Sequence, residues 1–133
     1  MSYFNVENVK YEGPKSKNPL SFKYYNKDEV IAGKPMKEHL RFAMSYWHTL
    51  AANGSDPFGV GTYVRAWDGL EGMELAKERA KAGFELMQIL GMEYYCFHDV
   101  DVAPEGKTLQ ESLDNLDEMV DYLEKLQQET GVK

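Results

Sequence analysis

The chain holds a single cysteine, Cys96, among 133 residues. One thiol closes no internal disulfide and supplies too few thiolates for a cysteine-based zinc centre. Long apolar runs are missing as well. None approaches the ~18 residues of a membrane span. The opening Met1-Ser2-Tyr3-Phe4-Asn5-Val6-Glu7 lacks the basic and apolar regions of a signal peptide. These absences predict a cytoplasmic protein with no membrane partner. A basic excess is also absent. The net charge of −7 argues against nucleic acid as a partner, because phosphate backbones select basic surfaces. Much of the acidity falls on one segment, from Glu111 through Asp114, Asp117, Glu118, Asp121 and Glu124 to Glu129. It reads as a solvated helix face. Gly54, Gly59 and Gly61 do not form a GxGxxG fingerprint directly after a strand, so no nucleotide site is read there.

What is present suits one ordinary α/β domain. Residues 1–35 form an extended arm. Lys10-Tyr11-Glu12-Gly13-Pro14 and Asn18-Pro19 mark turns around short extended pieces, and nothing there has helical periodicity. A short helix is expected at residues 36–40, then an aromatic-rich strand at residues 42–50. A loop dense in breakers follows at residues 53–61, long for a βα connection. Residues 69–90 read as a helix, with Met73, Ala76, Ala80, Phe84, Met87 and Leu90 on one stripe and Gly91 as its left-handed cap. A second strand spans residues 92–98, with Cys96 buried inside it. Thr108-Leu109-Gln110-Glu111 is a capping box that opens the last helix. Leu109, Leu113, Leu116, Val120 and Leu123 are its expected buried stripe. The order strand–helix–strand–helix implies parallel strands. Two such strands are too few for a buried sheet, and a third is expected from Gly131-Val132-Lys133. The chain therefore reads as the first quarter of a larger α/β protein, or as one that other chains must complete.

The chemistry-bearing candidates lie at strand ends. Tyr94-Tyr95-Cys96-Phe97 runs into His98-Asp99-Val100-Asp101. In parallel sheets reactive groups cluster where a strand meets its loop. A histidine with a carboxylate three residues on is a candidate proton-transfer pair: the carboxylate fixes the tautomer and steadies the charged ring. The same spacing also suits a structural histidine, aspartates that cap the loop, or two metal ligands still lacking partners. Trp47 and His48 fall near the end of the first strand, where alternation places them on opposite faces. Trp47 suits stacking on a sugar face and equally suits core packing. Phe58, between Pro57 and Gly59, is expected to project from its loop toward a ligand or a neighbouring subunit. Arg65 and Trp67-Asp68 are placed to hold the loop's exit.

Taken in order, Tyr11-Glu12-Gly13, Asn18-Pro19-Leu20, Phe22-Lys23-Tyr24-Tyr25, His39-Leu40-Arg41-Phe42, Tyr46-Trp47-His48-Thr49, Asp56-Pro57-Phe58-Gly59 and Cys96-Phe97-His98-Asp99-Val100-Asp101 form a collinear set. It resembles the N-terminal portion of xylose isomerase, in the longer-chain class with an extended N-terminal segment. The resemblance covers essentially all 133 residues. It implies a (β/α)8 TIM barrel, with residues 1–35 as the arm and residues 36–133 as its first two βα units. It implies an aldose–ketose isomerase acting on D-xylose and D-glucose, usually a homotetramer, using two divalent cations (Mg, Mn or Co) in a hydride shift. By the same resemblance His98 opens the sugar ring, Asp101 orients it, Trp47 walls the pocket, and Phe58 reaches a neighbouring subunit's pocket. The family usually has proline where this chain has Ala66, which is expected to loosen the loop. Its metal ligands come from later strands, so no metal site and no isomerase activity are expected of this chain alone. Two rivals remain. One is a non-catalytic folding or assembly module. The other is a phosphodiester-cleaving metal barrel, which the match through Trp47 and Phe58 disfavours.

Overall fold

The computed structural model describes residues 2–133. Short paired strands open the chain. β1 (Lys10–Tyr11) runs parallel to β2 (Ser21–Phe22). β3 (Val30–Ile31) and β4 (Lys34–Pro35) form an antiparallel hairpin. Its two turn residues, Ala32 and Gly33, both have positive φ, as the twist of a two-residue hairpin requires. After α1 (Met36–His39) come β5 (Ala43–Ser45), α2 (Tyr46–Thr49), α3 (Gly72–Leu90), β6 (Tyr94–Cys96), α4 (Asp99–Val102) and α5 (Leu109–Thr130).

β5 and β6 pair in parallel, Ala43 opposite Tyr94, Met44 opposite Tyr95 and Ser45 opposite Cys96. α3 makes the crossover between them. The chain then returns to the free side of β6. The Lys133 amide donates to the Glu93 carbonyl at 2.9 Å, and the Tyr95 amide donates to the Lys133 carbonyl at 3.2 Å. Alternate residues of a strand bond to opposite sides, so these bonds leave from the edge away from β5. These bonds set Lys133 alongside β6 in parallel, but the expected third strand is not among the described elements.

The first strand is shorter than its sequence suggests. Aromatic and β-branched residues predict a strand at residues 42–50, yet the backbone turns helical at Tyr46. Burial explains the switch. Strict alternation from Met44 and Tyr46 would carry His48 into the core. One helical turn instead stacks Tyr46 above Leu50, both fully buried, and swings His48 into solvent. Trp47 and His48 therefore do not sit on opposite faces of a strand.

Helix α3 follows expectation. Ala76, Ala80, Phe84 and Met87 are buried, and Gly91 caps the helix at φ 67°. Its small residues let it lie close to β5 and α2. A β-carbon on Gly83 would stand 2.5 Å from the Leu50 Cδ1. Helix α5 packs on α3 through Leu116, Met119, Leu123 and Leu126. Full burial of each such side chain contributes about 1.5–3 kcal/mol. This row replaces part of the expected stripe: Leu109 is 76% exposed, and Leu113 and Val120 are about half exposed. Leu109, in the first turn, finds little cover among the described residues, and Leu113 only partial cover. The cap also differs in detail. Thr108 accepts from the Glu111 amide at 3.1 Å, but Glu111 reaches past Thr108 to the Lys107 amide at 2.7 Å.

The amino terminus is tied to α3. Glu85 accepts from the Ser2 hydroxyl and from the Tyr3 amide at 2.9 Å, and Glu78 accepts from the Tyr3 hydroxyl. The Tyr3 ring meets Trp67 edge-on at 6.2 Å.

Candidate active site

The parallel register builds the site. Ser45 and Cys96 are partners at the carboxyl ends of β5 and β6. Trp47 and His98 each lie two residues further, so they emerge side by side from neighbouring strands. Their ring centroids are 4.6 Å apart at an interplanar angle of 46°. Strand-end placement of each residue is legible in the sequence; their contact follows only from the register.

His98 is the N-cap of α4, and Asp101 is that helix's third residue. One carboxylate oxygen of Asp101, Oδ2, does two jobs. It accepts the His98 backbone amide at 2.8 Å and faces the ring Nδ1 at 3.0 Å. The Asp101 side chain is only 10% exposed while that of His98 is 64% exposed. The carboxylate is therefore held inward and the imidazole presents its other edge to solvent. With Nδ1–H donating to Asp101, Nε2 is the free acceptor. Asp101 thus caps a helical turn, one of the alternatives open from sequence, and the same oxygen meets the imidazole. Asp99 serves locally, accepting the Val100 amide at 2.8 Å.

Beneath this pair lies Tyr46, which the sequence does not mark as a site residue. It has no exposed surface. Burial pushes its phenol well above the ordinary range; the Arg79 cation opposes this, and the Tyr95 phenol and Asp101 carboxylate add to it. Tyr46 thus stays a neutral phenol under the site. His48 also joins the rim, its ring 5.6 Å from that of Trp47. Cys96, expected to be buried, is exposed. β6 buries Tyr95 against Phe84 at 5.2 Å, and alternation turns Cys96 to the other, uncovered face.

Phe58 stands apart from these residues. Asp56 accepts the Phe58 amide at 2.7 Å, and backbone bonds link Asp56 with Gly59. This tight turn lifts Phe58 away from the chain, 96% exposed. The loop's exit is fastened as its residues suggest. Arg65 donates to the Thr49 carbonyl at 2.9 Å, its amide donates to Asp68 at 2.7 Å, and its guanidinium lies over Trp67 at 5.5 Å. Among the described residues no three His, Cys, Asp or Glu side chains converge as metal ligands. No helix among them is long and apolar enough to cross a membrane.

The fold and site define a mixed α/β unit with parallel strands, carrying a histidine bonded to Asp101 and, in ring contact with it, Trp47 at the strands' carboxyl ends. The comparisons find relatives that share one name. A protein called xylose isomerase from Geobacillus kaustophilus (strain HTA426) is 54% identical over 134 residues, spanning 100% of this chain and 30% of that protein. Its namesake from Halalkalibacterium halodurans is 60% identical over 121 residues, 90% of this chain and 28% of that protein. One from Enterobacter sp. (strain 638) is 54% identical over 99% of this chain and 30% of its own length. The chain is homologous, from end to end, to the N-terminal portion of xylose isomerases. It spans about 30% of the length of these curated relatives. No protein-family model matches it.

Proposed function

We propose that this chain forms the ring-opening corner of an aldose–ketose isomerase whose substrates are D-xylose and D-glucose. The observation that carries the proposal is the Trp47–His98–Asp101 cluster at the carboxyl ends of two parallel strands. In this reading Asp101 holds a proton on the His98 Nδ1. The free Nε2 takes the proton of the anomeric hydroxyl, the C1–O1 bond becomes a carbonyl, the bond from C1 to the ring oxygen breaks, and that oxygen takes up a proton. Trp47 lies against the apolar face of the sugar. Phe58 reaches the pocket of a neighbouring subunit in a homotetramer, a role that suits its exposure.

The wider frame belongs to the same reading. Residues 1–35 are the arm and residues 36–133 the first two βα units of a (β/α)8 barrel in the cytoplasm. The pairing of Lys133 on the free edge of β6 supports a sheet that continues. The two divalent cations of such an enzyme supply Lewis-acid chemistry when bound. Their ligands, in the same reading, come from later strands, and this chain's own part is proton transfer and sugar contact. Alone it is read as inactive.

The test is His98→Asn in the isomerase that contains this chain, assayed with ring-closed and open-chain sugar. A loss of roughly 100-fold or more on the closed form, with a smaller loss on the open form, is expected. Equal rates to the parent on both forms would remove His98 from the mechanism. A second reading, a non-catalytic assembly module, is favoured by the exposed apolar residues Phe58, Val60, Val64 and Leu109. Mixing this chain with the remainder of a homologous isomerase separates the two: restored turnover supports the catalytic reading, inert association the other.

A further inference from the structure

The end of the sheet opposite His98 holds a cavity of about 270 Å³. It opens where the arm crosses the amino ends of β5 and β6, beside the turn between α3 and β6. Phe22, Tyr25 and Phe42 form one wall, with rings edge to face at 5.9 and 5.3 Å. Leu40, Leu90 and Met92 extend it. Phe42 and Leu40 are each about half exposed.

The charges around this wall differ from those of the chain as a whole. Lys27, Lys37 and Arg41 line the cavity, and Glu93 is its single carboxylate. Lys37 pairs with Glu93 at 3.5 Å. Among the described residues neither Lys27 nor Arg41 has an acidic partner. Asp28 also acts on the Tyr25 ring from beside the cavity, so three cations face two carboxylates, a local excess of one positive charge in a chain whose net charge is −7.

We propose that this cavity binds a small aromatic carboxylate, its ring against Phe22, Tyr25 and Phe42 and its carboxylate on Arg41 and Lys27. An edge-to-face aromatic wall favours a flat apolar ring. A planar guanidinium matches a carboxylate with two parallel hydrogen bonds. The volume of about 270 Å³ lies just below the usual range of about 300–1,000 Å³ for ligand sites and suits a ligand no larger than one fused ring system. A neutral sugar would leave the cations unpaired and the aromatic wall wet, so this is not an extension of the sugar site. It lies at the other end of the strands and stands whether or not the isomerase reading does.

The test is titration of the 15N-labelled chain, at a temperature where its amide spectrum is dispersed and the fold intact, with 2-naphthoate and, in parallel, with the neutral 2-naphthamide. Naphthoate is expected to shift the amides of Phe22, Tyr25, Arg41, Phe42 and Met92 saturably and to leave His98 unmoved. Naphthamide is expected to bind about tenfold more weakly or worse, because a hydrogen bond to a charged partner exceeds one to a neutral group by that order. Arg41→Gln, a change at an exposed position, is expected to erase the difference between the two probes. Equal affinity for both probes, shifts centred on the exposed face of α5, or no saturable shift overturns the proposal.

Discussion

Asp101 shows how much one side chain decides. Its carboxylate closes a helical turn and fixes which edge of His98 meets solvent. Asp101→Asn keeps the shape and removes the charge that steadies a protonated ring. Within the proposed isomerase it is expected to lower turnover on ring-closed sugar by roughly 10- to 100-fold, less than loss of the histidine itself. Unchanged turnover would reduce Asp101 to a cap. Glu85 acts at the same scale. Burial alone would raise its carboxyl, but the bonds from Ser2 and the Tyr3 and Phe4 amides outweigh burial and hold it low. Glu78 is also held low, by Lys81 and then by Tyr3. A depressed carboxyl stabilises the fold above its unfolded value of about 4.3, and that contribution is lost as pH falls through the folded value. The Ser2–Tyr3 clasp is therefore expected to open below about pH 4. Trp67 emission in a Trp47→Phe background reports it, and Glu85→Gln should flatten the acid limb. A flat limb in the parent would show that the clasp does not depend on these carboxylates.

Among the elements, α3 lies close against Leu50 at Gly83. In an open helix Gly→Ala gains about 1 kcal/mol. At Gly83 the new methyl would press on Leu50, which is itself buried. Overpacking costs about 1–3 kcal/mol, so Gly83→Ala is expected to destabilise the chain on balance. Urea unfolding measures this, and a gain in stability would mean Leu50 moves freely. The start of α5 has its own lever. Thr108→Ala removes the bond to the Glu111 amide and should cost about 1 kcal/mol. Elements also show where sequence patterns were ambiguous. The apolar residues of α5 fit two rows, and only contact with α3 selects the row through Met119 and Leu126. The run from Phe42 to Leu50 has strand composition, yet the need to keep His48 out of the core bends it at Tyr46.

At the scale of the whole molecule, the described chain has one core and several bare faces. The uncovered side of β5 and β6, the tip of the Phe58 loop and the first turns of α5 all meet solvent. Apolar surface of this extent is ordinarily covered. The 133-residue chain is accordingly expected to melt broadly and at low temperature, and to sharpen when the remainder of a homologous isomerase is added. A sharp, cooperative transition of the monomer alone, followed by calorimetry, would contradict this.

Composition, breakers and periodicity suffice to determine the α/β class, helix α3 with its Gly91 cap, and the placement of Trp47 and His98 at strand ends. These are local properties, set by spacing along the chain. The contact of Trp47 with His98, the neutral Tyr46 beneath them, the outward turn of His48 and the exposure of Cys96 were decided only by tertiary structure. Each depends on which strand lies beside which, and in what register, and burial settles that register among residues far apart in the chain.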